Sequence, residues 1–139
     1  MASEFTLTII KPHAVRDNNT GAILAMINDA GFRIAAIKMT KLSRHQTEVF
    51  YKEHSGKYFF EPLVEMMSSG PVVVAVLEKE NAISDFRSLI GDTDPLNASS
   101  GTIRKLFGCS MRENAIHASD GNQNALKECG FFFSEMEVF

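Results

Sequence analysis

Gly70-Pro71-Val72-Val73-Val74-Ala75-Val76-Leu77 is the stretch on which the fold turns. Behind a Gly-Pro turn signal it carries the most β-branched run in the chain, and it predicts a central strand. Upstream, Phe5–Ile10 alternates and then becomes continuously apolar, with Phe5, Leu7, Ile9 and Ile10 around two threonines. This reads as a second, largely buried strand that Lys11-Pro12 ends. Ile23, Leu24, Met26 and Ile27 recur at helical spacing after Thr20-Gly21, and Gly31 suits a C-cap. Phe32–Leu42 is again strand-like, and Ser43 with Gln46 three residues later forms a capping-box pattern. A pair of helices is expected from Ser43 to Ser68, interrupted near Ser55-Gly56. Downstream, Ala82–Leu89 reads as a helix and Gly91–Gly101 as a long polar loop. Asn114–Ala118 is a short apolar segment, and Ser119-Asp120 can cap a helix that ends at Gly130. The order implies one α+β domain over residues 1–139. It allows the ferredoxin-like βαββαβ plan, a four-stranded, mainly antiparallel sheet with helices covering one face.

Composition supports a self-sufficient core. A chain of 139 residues with 45% hydrophobic and 22% charged residues is of ordinary globular make-up. The net charge of −3 and the scattered Lys and Arg exclude a polybasic surface for nucleic acid, so any phosphate should be held in a local pocket. Cys109 and Cys129 fit neither a disulfide framework nor a zinc motif. No apolar run is long enough to span a membrane, and the first residues lack a signal-peptide pattern, so a cytoplasmic location is expected.

Chemistry concentrates in Asn114-Ala115-Ile116-His117-Ala118-Ser119-Asp120. A histidine on a short apolar element just before a helix start is a partly shielded imidazole. Lys11, Arg87 and Arg104 are cations that could converge on it, Arg binding phosphate bidentately and Lys as a point charge. Read singly, these residues have ordinary explanations. His117 could be a satisfied core histidine, Arg87 and Arg104 surface charges, Thr93 a turn residue beside Pro95, Phe59 and Tyr51 core aromatics, Lys11 an exposed strand end and Glu128 a solvated helix residue.

Their joint placement points further. Residues 114–120 fit the signature Asn-x-x-His-x-Ser-Asp, and the chain resembles the nucleoside diphosphate kinase family throughout. Thr8-Ile9-Ile10-Lys11-Pro12, Gly31-Phe32, Phe59-Phe60, Met67 to Val72, Gly91-Asp92-Thr93-Asp94-Pro95 and Gly101-Thr102-Ile103-Arg104 all look like family segments in family order. The resemblance implies that His117 is a nucleophile phosphorylated by a nucleoside triphosphate, mainly ATP, which passes the group to a nucleoside diphosphate by a ping-pong mechanism. It assigns Glu128 to orienting the imidazole and Ser119 to the same network. Lys11, Arg87, Thr93 and Arg104 match phosphate grips, with Tyr51 reaching the transferred group. Asn114 and Lys11 match ribose contacts, and Phe59 matches the ring on which the base stacks. Magnesium is expected to arrive on the nucleotide, with Asp120 at most touching its waters; alternatively Asp120 complements a helix start. The partners implied are nucleoside triphosphates and diphosphates and further copies of the chain, in a homo-oligomer of four or six subunits, with neither a membrane nor a specific nucleic acid.

The chain also departs from the family. Ala118 stands where Gly is frequent, which suggests that this position needs no positive φ. Arg112-Glu113 replaces a frequent Gly-Arg, putting a carboxylate where a cation is common and leaving the edge of the base site open. Ser100 replaces a frequent proline, so the loop from Gly91 to Cys109 is expected to be less rigid. Two other classes of function compete. A nucleotide-binding module would bind without phosphoryl exchange, and an RNA-binding domain of the same plan would hold single-stranded RNA on sheet aromatics, a signature this chain lacks.

Overall fold

The computed structural model describes residues 3–139; Met1 and Ala2, the first two residues of the expected domain, lie outside the described residues. The strands are β1 (Ser3–Ile10), β2 (Arg33–Thr40), β3 (Val72–Glu80) and β4 (Ile116–Ala118). The helices are α1 (Pro12–Arg16), α2 (Thr20–Asp29), α3 (Arg44–Phe50), α4 (Phe60–Met67), α5 (Ala82–Ile90), α6 (Ile103–Phe107) and α7 (Asn122–Phe132). A 3-10 turn at Lys52–His54 lies between α3 and α4.

The sheet runs in the order β2-β3-β1-β4, with every neighbouring pair antiparallel. This is the ferredoxin-like plan, and β3 lies inside it, with Val74 opposite Ile9 of β1 on one side and Lys38 of β2 on the other. The expectation that helices cover one face needs correction, because both faces are covered. Val73, Ala75 and Leu77 pack with Ile23, Ile27, Phe86 and Ile90 of α2 and α5. Val72, Val74 and Val76 pack with Val64 and Met67 of α4 and with Phe132 of α7. A strand buried on both faces has no reason to alternate, which accounts for the unbroken apolar run at 72–77.

Ser43 caps α3 as expected: its side chain accepts from the Gln46 backbone, and the Gln46 side chain accepts in return from the Ser43 backbone. The interruption between the paired helices is the Lys52–His54 turn and the bends that follow. Two short helices lie outside the expected elements. Pro12 both ends β1 and opens α1, since its fixed φ and missing N–H suit a first helical position. Within the Gly91–Cys109 segment, Thr102 caps α6 by accepting from Lys105 N. Ser119-Asp120 does not cap α7, whose N-cap is Gly121 without a side-chain bond.

Candidate active site

β4 is only three residues long, but its register is set by backbone pairing along β1, with Ile9 opposite His117 and the Thr8 hydroxyl donating to the His117 carbonyl at 2.9 Å. The imidazole is thereby fixed at a sheet edge. Its Nε2 lies 2.9 Å from Glu128 Oε1, which reaches across from α7. Ser119 Oγ donates to the same carboxylate oxygen at 2.8 Å and accepts from Leu7 N at 3.2 Å. Glu128 accepts from two groups, so the Nε2 facing it carries the ring proton and Nδ1 keeps a lone pair. Phe50 and Tyr51 enclose the ring, with edge-on contacts at 5.6 Å and 6.2 Å between centroids.

His117 opens onto a cleft of about 590 Å³, a size suited to a small organic ligand. Lys11, Arg104, Arg112, Asn114, Thr93 and Phe59 line it, and no carboxylate does among the described residues. Arg104 is almost fully buried and donates to the carbonyls of Gly91 (3.1 Å) and Ile116 (2.9 Å), which ties the loop after α5 to β4. Burial first, and then the charge of Arg87, bring its pKa down to about 10, against a smaller upward pull from Asp92. Lys11 is not the exposed strand end that its position allowed. It is buried, its Nζ donates to the Arg112 carbonyl at 3.3 Å, and burial followed by the Arg104 charge lowers its pKa to about 7.

Tyr51 Oη, Arg104 Nε and Asn114 Oδ1 are buried without a hydrogen-bond partner. Polar atoms in that state are costly and call for explanation, and these three gather around one imidazole and its cleft. Asn114 Nδ2 is engaged, donating to the Thr93 carbonyl at 3.0 Å. Gly91 belongs to the same wall: at φ 90° its backbone lies so close to Thr102 that an added Cβ would come within 2.6 Å of the hydroxyl. Only glycine lets the loop bearing Thr93 approach α6 in this way.

Of the residues singled out in the sequence, the structure brings Lys11, Phe59, Thr93, Arg104, Asn114 and His117 to the cleft. Glu128, Ser119 and Tyr51 stand behind the imidazole. Arg87 is exposed and lines an adjoining hollow with Asp92 and Thr102. Asp120 is exposed and accepts from Asn124 Nδ2. His54 also lines the cleft and went unnoticed in the sequence. Its lone signal was a place in the helix interruption between Tyr51 and Phe59. The pair at 112 and 113 divides: Arg112 faces the cleft, whereas Glu113 turns away toward Arg16, 3.7 Å distant. Ala118 is ordinary strand, and the positive φ in this segment falls on Ala115.

Compared with known families, residues 4–138 match the one described as NDK: Nucleoside diphosphate kinase. The chain belongs to the nucleoside diphosphate kinase family. It is 52% identical to the nucleoside diphosphate kinase of Salinibacter ruber over 138 residues, covering 99% of this chain and 97% of that protein. Against that of Prosthecochloris aestuarii it is 54% identical over 135 residues, 97% and 96% of the two chains. Among solved structures, the Aquifex aeolicus nucleoside diphosphate kinase superposes with a TM-score of 0.97 at 44% identity, covering 99% of this chain and 100% of that one. The Encephalitozoon cuniculi enzyme does so with a TM-score of 0.93 at 36% identity, covering 98% and 92%. As a nucleoside diphosphate kinase family member the chain is a phosphotransferase. Its described residues include no helix long and apolar enough to cross a membrane.

Proposed function

We propose that His117 accepts the γ-phosphoryl group of a nucleoside triphosphate, mainly ATP, on Nδ1 and then delivers it to a nucleoside diphosphate. The observation that carries this reading is the 2.9 Å contact between Nε2 and Glu128 beside a cleft lined with cations. With Nε2–H held by a carboxylate, the lone pair on Nδ1 attacks the γ-phosphorus while the bond to the bridging oxygen breaks, and the diphosphate leaves with that electron pair. No general base is needed, because a neutral imidazole is already a nucleophile. Glu128 then offsets the positive charge that the ring gains. In the second half-reaction the terminal oxygen of the acceptor diphosphate attacks the same phosphorus and His117 returns to its starting state.

Charge on the transferred group spreads over its equatorial oxygens, so catalysis here is mostly positioning and electrostatic stabilisation. Arg104 and Lys11 are the grips in the cleft, Thr93 adds a hydroxyl, and Arg87 acts from the adjoining hollow. The unpartnered Tyr51 Oη and Arg104 Nε are donors awaiting acceptors, and phosphate oxygens supply them. Asn114 Oδ1 suits a ribose hydroxyl, and Phe59 offers its face to a base. Stacking ignores base identity, so both purine and pyrimidine nucleotides are expected to serve.

Magnesium carried on the β- and γ-phosphates would neutralise their charge. The residues fit an ion that arrives with the nucleotide, since no group of three or more His, Cys, Asp or Glu among the described residues could hold one, and Asp120 would at most meet its waters. Two further expectations belong to the same proposal. Self-association into four or six copies is supported by Ile37 and Met39, 48% and 61% exposed on the edge strand β2. A cytoplasmic site of action is supported by two unpaired thiols, Cys109 and Cys129.

Intact-mass analysis after mixing with ATP and magnesium tests the mechanism. One added phosphoryl group is expected on the parent chain and none on His117→Ala. Phosphoryl transfer that survives the substitution would refute the assignment.

A further inference from the structure

A second histidine lies behind the site without touching the cleft. His13, in α1, is buried at 4% exposure, and its Nε2 lies 2.9 Å from the backbone N of Ala115. The N–H donates, so Nε2 must be unprotonated and the ring proton sits on Nδ1, which faces Cys109 Sγ at 4.0 Å. Ala115 has φ 79°, a left-handed conformation that costs a residue with a Cβ on the order of 1 kcal/mol or more. The strained residue is gripped on both sides, because its carbonyl accepts from Lys11 N at 2.8 Å. Asn114 precedes it and His117 follows two residues later. Lys11-Pro12-His13 and Asn114 to His117 are thus clasped at one point, and the two segments together supply three cleft residues.

We propose that His13 is a positioning residue for phosphoryl transfer: as a neutral acceptor it holds Ala115 in its left-handed backbone and so places Asn114 and His117 against Lys11. The inference rests on the assignment of His117 as phosphoryl acceptor only for its effect on rate; the clasp itself stands on geometry. Protonation would turn Nε2 into a donor facing another donor and open the clasp. Several groups bear on that proton. Burial is the largest influence and lowers the pKa of His13, Lys11 and Arg16 lower it further, and Glu113 and Asp17 raise it, with a net downward result. The neutral acceptor therefore prevails at neutral pH and is lost on acidification below the ordinary histidine range, where the folded chain resists the proton that the unfolded chain accepts.

Two substitutions separate holding from mere filling of space. His13→Leu leaves the buried Ala115 N–H unpaired, and phosphorylation of His117 is expected to slow roughly tenfold or more. His13→Gln can return an acceptor near the position of Nε2 and should recover most of that loss. Adding Ala115→Gly to His13→Leu should also recover rate, since glycine adopts φ 79° without a Cβ penalty. The amide resonance of Ala115, followed by NMR, should titrate together with the His13 ring in the parent chain and stay flat in His13→Gln. A parent chain that gains no phosphoryl group on His117 would refute the catalytic assignment while leaving the amide titration to decide the clasp. An Ala115 amide indifferent to the ionisation of His13, or a His13→Leu chain phosphorylated at the parent rate, would overturn the proposal.

Discussion

Lys11 is buried beside Arg104, with no carboxylate on the cleft wall among the described residues, and that arrangement has a thermodynamic consequence. Its folded-state pKa of about 7 lies below the ordinary 10.5, so between those values the unfolded chain holds a proton that the folded chain has released. Unliganded stability therefore rises with pH across that window. A phosphate gripped by Lys11, as proposed, would reverse the bias and draw the proton back. Calorimetry of diphosphate binding at pH 8, in buffers of different ionisation enthalpy, should detect proton uptake of up to about one; heats that do not depend on the buffer would contradict a Lys11 that rests neutral and gains its proton as phosphate binds. Arg104 is a donor held in place before substrate arrives. Arg104→Ala should lower turnover by about a hundredfold, the scale of losing one preorganised donor. Full turnover in steady-state assays of that variant would remove it from the mechanism.

At the level of elements, the site is a meeting of short pieces on a long frame. β4 and α7 act through one carboxylate: Glu128, nearly two turns into α7, bridges His117 on β4 and Ser119 just after it. Glu128→Gln keeps the shape and removes the charge. Transfer should slow by at least about tenfold, matching the loss of a charge-assisted hydrogen bond, while nucleotide affinity stays nearly unchanged. Single-turnover kinetics set beside equilibrium binding would check this, and equal losses in both would contradict a purely orienting role. α6 is the second such piece, since its Arg104 joins the Gly91 loop to β4.

Across the whole molecule, the sheet is shielded on both faces, and exposed apolar side chains remain at its β2 edge. An edge strand with exposed apolar side chains tends to find a partner, and a second copy of the chain is the proposed one. Met39→Glu should reduce the particle mass measured by sedimentation while leaving the circular dichroism of the fold unchanged. An unaltered mass would place the subunit contact elsewhere.

Periodicity and turn chemistry in the sequence determined the order of the four strands and the longer helices, the capping box at Ser43 and the central place of Val72–Leu77, because these depend on neighbours a few residues apart. The signature at 114–120 likewise singled out His117 as the proposed phosphoryl acceptor. The tertiary structure alone decided that helices cover both faces, that Lys11 is buried rather than exposed, and that His54 and Arg112 join the cleft while Glu113 leaves it. It alone showed that His13 reaches a residue 102 positions away. Burial and hydrogen-bond partnership are properties of which distant segments meet, and a local pattern in a chain carries no record of that meeting.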